Sequence, residues 1–77
     1  MVMTNRTEAM KAGMRSGQEW SAVAVNDLLN RTTIRSAAQT CAEVFSTEGA
    51  LYDAYVEGFI ATAMDARDAR QRARDRK

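Results

Sequence analysis

This chain contains no histidine, no proline and a single cysteine, and each scarcity closes off a class of protein. Without histidine the commonest general base is missing, and a serine or cysteine nucleophile would need some other activator. One cysteine, Cys41, cannot build a disulfide framework, and a structural zinc site needs several Cys or His ligands. No apolar run approaches the ~18 residues of a membrane span. The N-terminus lacks the apolar run and cleavage motif of a signal peptide. Neither an enzyme, a metal- or cofactor-dependent domain nor a membrane protein is expected. A cytoplasmic chain with no cofactor is.

The absence of proline also leaves little to interrupt a helix, and only four glycines are present. The large apolar residues recur at helical spacing and not in alternation, so strands are not expected. At 77 residues the chain forms one domain. A lone core of this size seldom supplies more than about 3–5 kcal/mol. With disulfides and zinc excluded, self-association is the remaining common remedy, and a homodimer is expected.

What is present is helical patterning. A first helix over about residues 5–15 places Met3, Met10 and Met14 on one side. Ser16-Gly17-Gln18-Glu19 reads as a stop and restart, Ser16 capping while Glu19 reaches back in a capping box. A second helix, about 17–30, carries Trp20, Val23, Ala24 and Leu28, with Val25 and Leu29 beside them. Thr32 or Thr33 would cap a third helix, about 33–45, whose apolar face is Ile34, Ala37, Ala38, Cys41, Val44 and Phe45. Ser46 is the cap expected before a fourth, running from about 47 to at least 64 and, with nothing to stop it, onward through the charged end. The expected fold is all-α, a small bundle of three to four helices with a long C-terminal helix, residues 65–77 forming a charged extension.

The fourth helix is the most ordered pattern in the chain. Leu51, Tyr55, Phe59 and Ala63 form one column, and Tyr52, Val56, Ile60 and Met64 the next. Beside them Ala50, Ala54, Gly58 and Thr62 are small at every fourth position, which lets a neighbouring backbone approach closely. That column packs either against the chain's own second or third helix or against a second copy. Ala50, Ala54, Tyr55, Gly58, Phe59 and Thr62 are accordingly the candidate self-association residues. Gly13-x-x-x-Gly17 is not a phosphate loop, because the strand context and the Gly-Lys-Ser/Thr ending are missing; those glycines suit helix ends or close packing.

Net charge is only +1, yet it is unevenly placed. The last thirteen residues, 65–77, hold six cations and three anions, whereas residues 16–64 hold two cations and six anions. These last turns read first as a solvated, fraying helix end; if they bind a ligand, Arg67, Arg70, Arg72, Arg74 and Arg76 are the candidate contacts for nucleic acid or an acidic partner, since guanidinium groups pair with phosphates and carboxylates. Interleaved aspartates and the lack of any aromatic residue in this segment to stack on bases argue against nucleic acid.

Arg31-Thr32-Thr33-Ile34-Arg35-Ser36-Ala37-Ala38 through Val44-Phe45-Ser46-Thr47-Glu48-Gly49 resembles the first helix of TetR-type repressors, which begin with an Arg-x-x-Ile-x-x-Ala-Ala run ending near Phe-x-x-x-Gly. The resemblance implies a helix-turn-helix next, but the 50–66 stripe stands in its place, and membership is not claimed. The function expected is that of a small non-enzymatic interaction protein binding another macromolecule, most simply a protein. Such cofactor-free helical chains are common among accessory and inhibitor proteins of phages and mobile elements. The alternative is a small nucleic-acid-binding protein that uses its arginine-rich end.

Overall fold

The computed structural model describes residues 5–24, 28–45 and 49–75. Three helices account for nearly all of them: α1 (Arg6–Val23), α2 (Arg31–Phe45) and α3 (Gly49–Asp75). No strand occurs among the described residues.

The break expected at Ser16–Glu19 is not there. α1 runs unbroken through Ser16, Gly13 and Gly17, although a glycine in a helix interior costs about 1 kcal/mol relative to alanine. Packing explains why the helix accepts this. Ala9, Gly13, Gly17 and Ser21 follow one another at every fourth position and are the buried residues of α1. A Cβ built on Gly13 would collide with the Tyr55 carbonyl, one on Gly17 would lie 2.7 Å from the Phe59 carbonyl oxygen, and one on Gly58 would collide with the Met10 carbonyl. The two backbones thus touch where side chains would normally hold helices apart. The contacts Gly13–Tyr55 and Gly17–Phe59 advance together along both helices, so α1 and α3 run parallel.

α2 returns along α3. Its last residue, Phe45, stacks on Tyr55 near the start of α3 with 4.7 Å between ring centroids. Leu29, just before α2, lies instead against Arg67–Arg74. α2 is therefore antiparallel to α3. Phe59 and Ile34 are fully buried at the centre, joined by Ala38, Ala42, Tyr55 and Ala63. Each fully buried large side chain contributes about 1.5–3 kcal/mol. Trp20 of α1 closes the cluster from the side, 5.7 Å from Phe59.

Helix starts are capped by asparagine and not by the expected Ser16 or Thr32/Thr33. Asn5 Oδ1 accepts from the Glu8 N–H and Asn30 Oδ1 from the Thr33 N–H, both at 2.9 Å. Asparagine ranks at or above threonine in this role. Ser46, the cap expected for the last helix, lies outside the described residues, as do Met3 and Val25. α2 otherwise matches its expected span, but its buried face is Ile34, Ala38 and Ala42, leaving Val44 88% exposed. The apolar arc of α2 is wider than the strip α3 covers, so its outer edge, Val44, faces away. On α1 the same happens to Val23, which is 83% exposed where the helix ends. Finally, α3 is continuous over Gly49–Asp75, which leaves no turn for a helix-turn-helix there.

Candidate functional site

The C-terminal half of α3 is built from the charged extension, and the structure sorts its arginines. Arg67, Arg70, Gln71 and Arg74 recur at i, i+3, i+4, i+7 and so share one face. With Leu29 they line a cleft of about 160 Å³. Asp65, Asp68 and Arg72 share a different side of the helix at the same spacing, and all three are exposed. Arg67, Arg70 and Arg74 are thereby set apart from Asp65 and Asp68, while Arg72 stays on the aspartates' side.

Arg70 has a structural task as well. Its guanidinium donates to the Ser21 carbonyl at 2.6 Å and to the Ala24 carbonyl at 2.7 Å. The last carbonyls of a helix have no intrahelical partner and lie at its negative end. α1 has no basic residue in its own last turn, so α3 supplies the cation from 46 and 49 residues away. The charged extension is thereby tied into the fold and does not project free of it from Ala66 onward. Arg67 is half-buried, with its guanidinium 3.8 Å from the Met64 sulfur, while Arg72 and Arg74 are exposed. Arg76 lies outside the described residues.

The candidate self-association residues fall elsewhere. Ala54, Tyr55, Gly58 and Phe59 are buried, and Tyr55, Gly58 and Phe59 meet α1 directly. Tyr55 also hydrogen-bonds the Ser16 hydroxyl through its own. Thr62 is half-buried and Ala50 exposed. A second copy could reach the four buried residues only by displacing α1. The close packing that the small column advertises is met inside the chain, by a helix whose own small column the local sequence signals divide between two shorter helices.

Among the described residues two further grooves are open. One, of about 360 Å³, lies between the end of α1 and the outer edge of α2, with Trp20 and Leu28 at one end and Ala37 and Cys41 along its wall. The other, of similar size, is formed by Met10 and Met14 with Arg6 and Lys11. Cys41 is half-buried with a free thiol. Among the described residues no group of three or more Cys, Asp or Glu side chains could hold a metal ion, and no helix is long and apolar enough to cross a membrane. Comparison with protein-family models, curated proteins and solved structures gives no match to this chain.

Proposed function

We propose that this chain is a non-enzymatic interaction protein that grips an acidic segment of another protein with the cationic face of α3. The observation that carries the reading is the convergence of Arg67, Arg70 and Arg74 on one cleft, with the exposed aspartates Asp65 and Asp68 turned to another side. Leu29 and Gln71 complete the cleft, giving an apolar wall and an amide beside the guanidinium groups. Arginine set against apolar surface is the composition of protein-binding hot spots. Nucleic acid is the less favoured occupant. Arg72 stands among aspartates, and the cleft offers no aromatic ring for a base.

Titration against fluorescent single- and double-stranded oligonucleotides tests this choice. The expected result is no binding at micromolar protein in moderate salt. Tight binding whose log–log salt slope approaches about −0.9 per phosphate neutralised would transfer the function to nucleic acid.

A further inference from the structure

The donors of the α3 cleft suit one kind of acidic group above others. We propose that the cleft takes a phosphorylated side chain of a partner protein, held as a dianion between Arg67 and Arg74, with an apolar neighbour of that side chain against Leu29. This rests on the reading that the cationic face of α3 grips an acidic protein segment, and it names the group gripped.

Charge is the first argument. Arg67 and Arg74 reach the cleft from positions two turns apart, about 10.5 Å along the helix axis, and Gln71 lines it with them. Among the described residues neither arginine pairs with a carboxylate: Arg67 meets the Met64 sulfur, and Arg74 is exposed. Two guanidinium groups thus share one cleft without a counter-charge in it. A phosphate monoester carries about −1.5 to −2 at neutral pH and matches the pair. A single carboxylate would offset only half of it.

Shape is the second. A guanidinium fork binds two oxygens at once. A carboxylate has one such edge, and so does a nucleic-acid phosphodiester, with its two free oxygens and one charge. The three terminal oxygens of a monoester present an edge to each arginine and keep acceptor capacity for the Gln71 amide. Size points to a macromolecular source. At about 160 Å³ the cleft is smaller than the roughly 300–1,000 Å³ of sites that enclose a whole small molecule. It has room for the tip of one side chain, and Leu29 gives the adjoining residue an apolar contact. Arg70 ties this stretch of α3 to the end of α1 through the Ser21 and Ala24 carbonyls, so the cleft belongs to the packed fold.

Titration with three probes at fixed ionic strength, followed on the arginine Nε–H signals by NMR, tests the proposal. The probes are acetyl-phosphoseryl-leucine amide, acetyl-glutamyl-leucine amide and inorganic phosphate. The phosphodipeptide should shift Arg67 and Arg74 and bind about tenfold or more tightly than the glutamyl one at neutral pH. That preference should fade as the pH drops through about 6, where the phosphate takes up its second proton. Arg67→Gln and Arg74→Gln should each remove the preference, and Arg72→Gln should keep it. Arg74 is exposed, so its variant keeps the test readable should Arg67→Gln fail to fold. Equal affinity for the two dipeptides would overturn the phosphoryl assignment and leave the acidic-partner reading standing. Inorganic phosphate binding as tightly as the phosphodipeptide would overturn a protein source. Signals unmoved by all three probes would overturn the inference as well, whereas capture of a protein that Arg67→Glu/Arg74→Glu loses would still uphold the broader reading.

Discussion

Replacing Gly13 with alanine should destabilise this protein, although the same change in an ordinary helix stabilises. Alanine gains about 1 kcal/mol over glycine from helix propensity. At Gly13 the added methyl group would overlap the Tyr55 carbonyl, its carbon and its Cα, all backbone atoms that cannot rotate aside. α1 must back away from α3, loosening Gly17 on Phe59 and Met10 on Gly58 at the same time. Overpacking of a tight interior costs about 1–3 kcal/mol and occasionally more. Because three backbone contacts move together, the upper part of that range applies, and the net loss after the propensity gain is about 1–2 kcal/mol. In a domain of this size that lowers the melting temperature by roughly 4–16 °C. Gly49→Ala is the internal control, since a Cβ there meets nothing within 4 Å, and it should be neutral or mildly stabilising. Thermal and urea melts followed by circular dichroism at 222 nm read both. A Gly13→Ala protein as stable as wild type would refute the backbone-to-backbone docking of α1 on α3.

Other substitutions follow from the same geometry. Arg70→Ala should cost about 1.5–3 kcal/mol by leaving the Ser21 and Ala24 carbonyls without their cation, whereas Arg72→Ala, on the exposed side, should stay within about 0.5 kcal/mol; equal melts for the two would remove the cap. Truncation after Ala66 should destabilise for the reason that Arg70→Ala does, seen as a lower urea midpoint. Asn30→Ala should cost about 1 kcal/mol through the lost bond to the Thr33 N–H, measured in the same melts.

The sequence makes the helices legible and their company much less so. Spacing alone locates the residues of α2 and α3, and the lack of any stop signal after Met64 agrees with the continuation of α3 through the arginines. Ser16–Gly17 points to a break that does not occur, because a capping-box pattern and a glycine are local signals and here a tertiary contact outweighs them. One sign is available: Ala9, Gly13, Gly17 and Ser21 repeat at the same interval as Ala54 and Gly58, and two small columns in one chain can serve each other. Val44 shows a different limit. Periodicity marks an apolar arc but does not say how much of it a neighbour will cover. The cap that Arg70 places on α1 has no local signature, since its partners lie more than forty residues back in the chain. For the candidate site, the arginines are legible as a group. Helical spacing also divides them, Arg67, Arg70 and Arg74 on one face and Arg72 on another; that the first face meets Leu29 and the end of α1 comes only with the packing of α3.

The cationic face is tested most directly by affinity capture from the native cell with wild-type protein and with Arg67→Glu/Arg74→Glu, each with and without nuclease. Arg74 is exposed and Arg67 half-buried, so a melt of the double variant is run beside the capture to show that it is folded. The account predicts a protein that wild type retains after nuclease and that the double variant loses. Capture unchanged in the double variant would contradict it, as would capture abolished by nuclease.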